Sequence, residues 1–469
     1  MLESPYPGAI IASGLGRGTR SGRLIEWNWK VLTEMTMSLL LSTAFALFTG
    51  LIMTRVFKKV GLKLPDVTAF LIAGVLVGPY VLGALNIPGL GFSTMADLDQ
   101  VSGFSTVALG FIAFDIGNEF RLGQLKKTGK TATVIGIIQA VTATLLVDAA
   151  LIGLHFLLGP DKLPLPVAIS LGAIASATAP AATLMVVRQY KAKGPLTDLL
   201  LPIVALDDAV GLVVFAVSFG VAQAMEGGAI NVVSVIVNPM LEIVCSLLLG
   251  AAMGSLLTLL EKLFFSNKNR LSLTISFVIM TIALSSMELP LGGGVRIAFS
   301  SLLVCMMLGT MFCNLSEYSV DIMQRSEQWT APLYAVFFVL SGAELDLGVF
   351  RYPAILLIGV VYILVRCAGK YLGARGSSAL MGCDEKVKKY LGVTLFPQAG
   401  VALGMVVTAQ ELGPEPGAMI RNIVLFSVLV YELIGPMLTK MALMTAGEVE
   451  TKHSESQYRA RFQKKPAKA

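Results

Sequence analysis

Apolar stretches of about 20 residues recur along almost the whole chain, and they constrain its fold more than any other feature. A helix needs about 20 consecutive apolar residues to cross the hydrocarbon core of a bilayer. We count 13 such stretches, which predict an all-α polytopic membrane protein with about 13 transmembrane helices. They lie near residues 36 to 55, 65 to 87, 102 to 121, 131 to 158, 164 to 188, 196 to 225, 232 to 262, 271 to 288, 295 to 313, 329 to 347, 353 to 374, 387 to 411 and 418 to 443.

The composition excludes several other classes of protein. With 55% hydrophobic and 14% charged residues, the chain is too apolar to be a soluble domain. It has two histidines, and five cysteines without CxxC spacing, so we expect neither a metal-ligand cluster nor a disulfide framework, and no cofactor. The net charge of +6 is explained by membrane topology and needs no nucleic-acid partner.

The basic loops predict how the chain is oriented in the inner (plasma) membrane. Lysine and arginine favour cytoplasmic loops, and here they are concentrated after predicted helices 1, 3, 5, 7 and 11. This pattern places the C-terminus and its basic, lipid-contacting tail in the cytoplasm, and an odd helix count then places the N-terminus outside. Basic residues in the first 30 positions oppose that orientation, so either the true start lies near Met35 or the arm is tolerated there.

A short pattern occurs twice at corresponding places in the chain. GNEFRLG occupies residues 117 to 123 at the end of helix 3, and GAELDLG occupies residues 342 to 348 at the end of helix 10. Under the predicted topology the two copies emerge on opposite sides of the membrane. Helices 2 to 6 and 9 to 13 therefore form two inverted five-helix repeats. The alternative is chance similarity in a chain rich in leucine and glycine.

The fourth helix of each predicted repeat contains a proline in mid-span. Pro180 lies in ASATAPAATLM, and Pro397, followed by Gln398, lies in TLFPQAGVALGM. A proline removes a backbone donor from its helix, and an interrupted helix is tolerated in a membrane only where it faces protein or a water-filled cavity. Two such helices at matching places indicate a transporter site near the midplane. The alternative is two kinks that serve packing alone, and we expect Gln398 to satisfy backbone groups.

Two adjacent aspartates, Asp207 and Asp208, lie about halfway along predicted helix 6. A charge at the bilayer centre costs about 3 kcal/mol even on a lenient scale, so water or a counter-charge is required. Adjacent helical residues point about 100° apart, so one can face a cavity while the other faces a neighbouring helix. Arg366 and Lys370, four apart on helix 11, are both candidate partners. The arrangement indicates competition between H⁺ and a monovalent cation for one carboxylate.

Five motifs, in their order and spacing, resemble the monovalent cation:proton antiporter superfamily, and most closely its bacterial branch with paired aspartates. The resemblance extends from Leu64 to Leu443. The motifs are LPDVTAFLIAGVLVGPYVLG in helix 2, SATAPA in helix 5, ALDDAVGL in helix 6, FFVLSGAELDL in helix 10 and PQAGVALGM in helix 12.

This resemblance implies a fold, an activity and roles for the site residues. It implies the sodium/proton antiporter fold with crossed broken helices, and a homodimer whose protomers each have a dimerisation domain and a mobile core. It also implies that Asp208 binds the transported cation, while Asp207 pairs with Arg366 or Lys370. In members with paired aspartates the exchange is electrogenic, with two protons moved per cation.

Together, the repeats and the resemblance divide the chain into six predicted regions. They are an N-terminal arm (1–35), a first helix and loop on the dimerisation side (36–63), the first inverted repeat (64–225), linking helices 7 and 8 (226–294), the second inverted repeat (295–443) and a basic cytoplasmic tail (444–469).

One position departs from the family pattern and leaves the cation open. Many sodium-selective relatives have an acid or a serine directly before the helix 5 proline, whereas this chain has Ala179. Thr178 and the freed backbone carbonyls remain as oxygen ligands. Potassium-efflux relatives usually carry a nucleotide-binding domain that this sequence lacks, so we favour Na⁺ or Li⁺ and keep K⁺/H⁺ exchange as the alternative.

Three other functions fit the sequence less well. An intramembrane aspartic protease, which is the enzyme alternative, needs its two aspartates on separate helices. A channel needs a continuous wet path, whereas inverted repeats with broken helices favour alternating access. A cation-coupled solute symporter on the same fold does not explain the aspartate pair and the basic residue of helix 11. We therefore expect a transporter and not an enzyme.

Overall fold

The computed structural model describes residues 21–60, 64–225, 237–287, 289–292, 295–345, 347, 353–399 and 401–449. The start of the predicted arm, the segment 226–236 of the predicted linking region and the predicted tail beyond residue 449 lie outside the described residues.

Fifteen α-helices make up almost all of the described chain. They are α1 (Ser21–Val60), α2 (Asp66–Val77), α3 (Met95–Gly117), α4 (Leu122–Leu158), α5 (Leu165–Ile174), α6 (Pro180–Tyr190), α7 (Pro195–Met225), α8 (Asn238–Glu261), α9 (Asn267–Ser285), α10 (Ser301–Leu315), α11 (Ser319–Ala343), α12 (Pro353–Leu380), α13 (Glu385–Thr394), α14 (Val401–Ala409) and α15 (Pro414–Ala446). A short antiparallel hairpin, β1 (Leu289–Gly292) and β2 (Val295–Ile297), joins α9 to α10.

The prediction of an all-α chain with two interrupted helices is confirmed. The α5/α6 pair and the α13/α14 pair each occupy one predicted apolar span, so the fifteen helices correspond to the thirteen predicted spans. Seven helices in the described chain are long and apolar enough to cross a membrane on their own, and α2, α5 and α10 are shorter apolar helices.

Two predicted helix spans differ from the structure. The helix predicted over residues 65 to 87 ends at Val77, because Gly78 and Pro79 stop it and the remaining apolar residues form turns. At 1.5 Å per residue, the 12 residues of α2 extend for only about 18 Å. The helix predicted from residue 295 begins at Ser301, because residues 295–297 form β2. The first helix begins at Ser21, within the predicted arm, and its apolar part, Met37–Val60, agrees with the predicted first span.

Two glycines allow helices of the two predicted repeats to pack closely. A Cβ atom on Gly342 of α11 would collide with the backbone carbonyl of Leu71 in α2, and one on Gly309 of α10 would collide with that of Phe114 in α3. Small residues allow membrane helices to approach this closely. In both contacts the first helix of one repeat packs against the second helix of the other, which is the reciprocal packing that inverted repeats produce.

The helix that carries the two aspartates is enclosed by protein. In the most apolar 18-residue stretch of α7, 61% is buried inside the structure, compared with 22% in the corresponding stretch of α1. Ile174, at the start of the first interruption, and Ala177, within it, belong to one buried cluster with Tyr362 of α12 and Met405 of α14. Polar groups at this place are therefore shielded from lipid by neighbouring helices.

Candidate ion-binding site

The two interrupted helices cross each other at their breaks. The first break lies between Ile174, where α5 ends, and Pro180, the first residue of α6. The second lies between Thr394, where α13 ends, and Val401, where α14 begins. The backbone N–H of Ala179 in the first break donates to the carbonyl of Pro397 in the second at 2.8 Å. The crossing therefore provides hydrogen-bond partners for some of the backbone groups that the interruptions leave unpaired.

Arg366 of α12 donates hydrogen bonds to backbone carbonyls of both breaks. Its Nε donates to Ala175 at 2.9 Å and its Nη2 donates to Ala177, while Nη1 donates to Phe396 of the second break at 2.7 Å. The guanidinium also lies 4.6 Å from the ring centroid of Tyr431. Because the ends of α5 and α13 expose unpaired carbonyls with partial negative charge, a fixed cation stabilises both of them.

Lys370, one turn further along α12, forms the ion pair with Asp207. The distance from its Nζ to Asp207 Oδ2 is 2.9 Å, and both side chains have no solvent exposure. The same Nζ donates to the hydroxyl of Thr178 at 2.9 Å and to the backbone carbonyl of Ser176. An ammonium group has three donors, and here each has an acceptor. Of the two basic residues considered from sequence, Lys370 therefore contacts Asp207, and Arg366 contacts backbone.

Gln139 of α4 supplies a partner for Asp207 that the sequence did not reveal. It is fully buried, and its Nε2 donates to Asp207 Oδ1. Asp207 Oδ2 in turn accepts from Thr178 Oγ1 and from Lys370. The carboxylate thus accepts three hydrogen bonds, which is the condition for keeping a buried ionised group in place.

Asp208 is buried to almost the same extent but has no polar partner in the part of the chain that the structure describes. It is 1% exposed, and neither carboxylate oxygen has a hydrogen-bond partner among the described residues. Its own helical face approaches the crossing. Gly211, three residues further on, lies close to Ser176 in the first break and to Met405 of α14. Two free carboxylate oxygens at this place need a proton or a cation.

The remaining predicted site residues hold the crossing together. Gln398 donates from Nε2 to the carbonyl of Ile174 at 2.8 Å and lies 3.1 Å from the Tyr362 hydroxyl, as expected for a residue that satisfies backbone. Thr178 is engaged by both Lys370 and Asp207. Ala179 takes part through its backbone at the N-cap of α6, and Pro180 is the first residue of that helix.

The formal charges explain what the site can do. Arg366 and Lys370 carry two positive charges, and Asp207 and Asp208 carry two negative charges when both are ionised. Binding of either a proton or a monovalent cation to Asp208 changes this sum by the same amount. One carboxylate can therefore accept either ion, and the two ions exclude each other there.

Known proteins match this chain over most of its length. A family model described as the transmembrane sodium/hydrogen exchanger matches residues 36–445. The High-affinity Na(+)/H(+) antiporter NhaS3 of Synechocystis is 25% identical over 407 residues, which cover 79% of this chain and 83% of that protein. The K(+)/H(+) antiporter subunit KhtU of Bacillus subtilis is 23% identical over 403 residues, covering 84% and 92%.

Solved structures match over almost the same length. The sodium proton antiporter MjNhaP1 of Methanocaldococcus jannaschii, determined by electron microscopy, superposes with a TM-score of 0.63 at 20% identity, covering 87% of this chain and 98% of that one. A structure of the same antiporter at pH 8 gives a TM-score of 0.58, covering 88% and 97%. The predicted sodium/proton antiporter fold is confirmed by these matches.

Proposed function

Because the chain belongs to the family of transmembrane sodium/hydrogen exchangers, we propose that it exchanges protons for a monovalent cation at Asp208 by alternating access. The observation that supports this site most strongly is the contrast between two neighbouring carboxylates. Asp207 accepts three hydrogen bonds, whereas Asp208 has none among the described residues. A buried group that the protein leaves without a partner is the one that is free to bind an ion from solution.

Sodium or lithium is the proposed cation. Such hard cations are bound by several oxygen ligands, and the proposed set is the Asp208 carboxylate with Thr178 and backbone carbonyls of the two breaks. NhaS3 is named as a Na⁺/H⁺ antiporter, which favours this choice. K⁺/H⁺ exchange is the second candidate, because Ala179 brings no side-chain oxygen next to Pro180 and because KhtU is named for potassium.

The Lys370–Asp207 ion pair gives a physical reason for electrogenic exchange. Protonation of Asp207 would remove the counter-ion of Lys370, whose Nζ is fully enclosed. We propose that Asp207 and Asp208 both take up protons when the cation leaves. If two protons then exchange for one cation, each cycle moves a net charge, and the membrane potential contributes about 2.3 kcal/mol per charge per 100 mV.

The assembly and orientation proposed from sequence complete this picture. The protein would act as a homodimer in the inner (plasma) membrane, with the N-terminus outside and the C-terminus in the cytoplasm. The region 36–63 would lie on the dimerisation side. The two inverted repeats, 64–225 and 295–443, would share the crossing as their common core, which moves relative to the dimerisation domain.

Proton movement in proteoliposomes tests the proposed site. Purified protein is reconstituted with a pH-sensitive dye inside, a pH gradient is imposed, and Na⁺, Li⁺ or K⁺ is added at equal ionic strength. We expect Na⁺ or Li⁺ to drive proton movement in the wild type and in Asp198→Asn, which removes an exposed carboxylate from the same helix. We expect Asp208→Asn to abolish it.

Other outcomes have definite meanings. A response to K⁺ alone would retain the exchange mechanism and change the cation. Substantial cation-driven proton movement by Asp208→Asn would overturn the assignment of the site. Correct folding of each variant is checked by gel filtration and by its melting temperature.

A further inference from the structure

Glu432 of α15 shares the unusual state of Asp208. It is 4% exposed, its Oε1 is enclosed without a hydrogen-bond partner, and no ion pair reaches it among the described residues. The other buried carboxylates of the described chain have partners: Asp115 pairs with Arg188, Asp207 with Lys370, Glu261 with Ser316, and Glu448 with the first backbone N–H groups of α7. Asp208 and Glu432 are the exceptions within this part of the chain.

A proline adds a second unsatisfied acceptor at the same residue. In an α-helix the N–H of residue i donates to the carbonyl of residue i−4, and the residue four positions after Glu432 is Pro436, inside α15. Proline has no N–H, so the backbone carbonyl of Glu432 does not receive its helical hydrogen bond. Glu432 therefore presents a carboxylate and a freed carbonyl, both of which are acceptors. A proton on the carboxylate would convert one of them into a donor.

The position of Glu432 relates it to the crossing. Gly435, on the adjacent turn of α15, lies directly against Pro397 of the second break. In addition, α15 is the last helix of the second repeat, and α7, which carries Asp208, is the last helix of the first. Each repeat therefore has one buried carboxylate without a partner on its fifth helix.

Several charged side chains on the helices around α15 are engaged elsewhere. The helix packs against α2, α5, α6, α7, α12, α13, α14 and the short 3-10 helix Gln410–Leu412, of which α5 and α14 contain no charged residue. On α2, Asp66 pairs with Lys58, and on α13, Lys388 pairs with Glu385. On α12, Arg366 and Lys370 bind the breaks and Asp207. On α6, Arg188 pairs with Asp115, and Tyr190 lies 4.7 Å from the Nζ of Lys440, which is on α15 itself. The hydroxyl of Tyr431 donates to the carbonyl of Ile363.

We propose that Glu432 is a second proton-binding site of the antiporter, and that it releases and takes up its proton during each transport cycle. Without a cation nearby to hold it as an anion, the carboxyl group binds a proton when the site is closed. Contact with water then allows the proton to leave, and the carboxyl supplies protons to the crossing in addition to those that reach Asp208 directly. This role rests on the proposed function of Asp208.

A carbodiimide detects such a group independently of transport. N,N′-dicyclohexylcarbodiimide reacts with protonated carboxyl groups in apolar surroundings and leaves a stable adduct that peptide mass spectrometry can locate. We expect an adduct at Glu432 that increases as the pH falls, and none at Glu415, an exposed carboxylate on the same helix. Asp208→Asn should still be labelled at Glu432, because labelling needs no exchange. Absence of the adduct in folded protein would overturn the proposal.

Transport by Glu432→Gln then tests whether the proton takes part in the cycle. The glutamine keeps the size of the side chain and cannot release a proton. We expect the pH of half-maximal exchange to fall by about one unit, because Asp208 must then be protonated without this supply. Glu432→Asp should restore the wild-type profile, and Glu415→Gln should not change it.

The two proposals fail in different ways. A wild-type pH profile in Glu432→Gln would overturn the role of Glu432 even if the residue is labelled, because the bound proton would then be structural. A wild-type protein that moves no protons with any cation would instead overturn the proposed function.

Discussion

Replacement of Arg366 by lysine tests whether this residue supports the crossing. The arginine makes three hydrogen bonds to carbonyls of both breaks, and it has no solvent exposure. A hydrogen bond from a charged donor contributes about 1.5–3 kcal/mol. Lysine has one nitrogen and cannot reach all three carbonyls that surround the planar guanidinium. If two of the three hydrogen bonds are lost, Arg366→Lys should lower the free energy of unfolding by about 3–6 kcal/mol.

Thermal unfolding of the purified protein in detergent measures this loss. At about 2 °C per kcal/mol for a large domain, we expect the melting temperature to fall by roughly 6–12 °C. Arg375→Lys is the matched control, because Arg375 is exposed on the same helix and makes a single, long hydrogen bond within the described chain, to the Tyr371 hydroxyl at 3.3 Å. Its melting temperature should stay within about 1 °C of the wild type.

The result that would refute this reasoning is equally specific. If Arg366→Lys has the same melting temperature as the wild type and exchanges ions at the same rate, the guanidinium does not stabilise the breaks. If it melts normally but loses only the voltage dependence of exchange, Arg366 acts as a counter-ion for an aspartate, which would contradict the contacts assigned to it.

Two further predictions concern the ion pair and the repeat contact. Asp207→Asn leaves the buried Lys370 without a counter-ion, so we expect it to lose roughly 3–5 kcal/mol of stability and to change the dependence of exchange on a valinomycin-imposed potential more than cation affinity; an unchanged voltage dependence would remove that role. Gly342→Ala places a methyl group against the Leu71 carbonyl, so it should greatly reduce the monodisperse yield in gel filtration, whereas Gly376→Ala, where a Cβ meets nothing within 4 Å, should behave as wild type. Equal yields would contradict the close approach.

Hydropathy predicted the helical spans because few structures other than a helix are stable in lipid. Every backbone polar group in the hydrocarbon region must be satisfied within the protein, so a long apolar run has to be helical. The same property says nothing about where a helix stops inside an apolar run. Residues 78 to 87 continue the apolar run of α2, and the local effect of Gly78 and Pro79 ends the helix at Val77.

The candidate site was only partly visible in the sequence. Two aspartates and two basic residues within apolar runs are conspicuous, and each appears at the crossing. Which base contacts Asp207 could not be read from spacing, because Arg366 and Lys370 lie on one face of α12 and differ only in what their donors reach. Gln139 gave no signal at all, since a single amide in an apolar helix has no pattern that distinguishes a ligand from a packed polar residue.

The contacts of Lys370 explain why two adjacent aspartates can act at one site without being equivalent. All three of its N–H donors are taken, by Ser176, Thr178 and Asp207, so none is left for Asp208. In the proposed mechanism, Asp208 therefore stays open to ions as long as Asp207 keeps its charge. Protonation of Asp207 would free one donor within reach of the same helical turn. The ionisation of one carboxylate thus controls the electrostatic surroundings of the other, which is the physical requirement for coupling proton uptake to cation release.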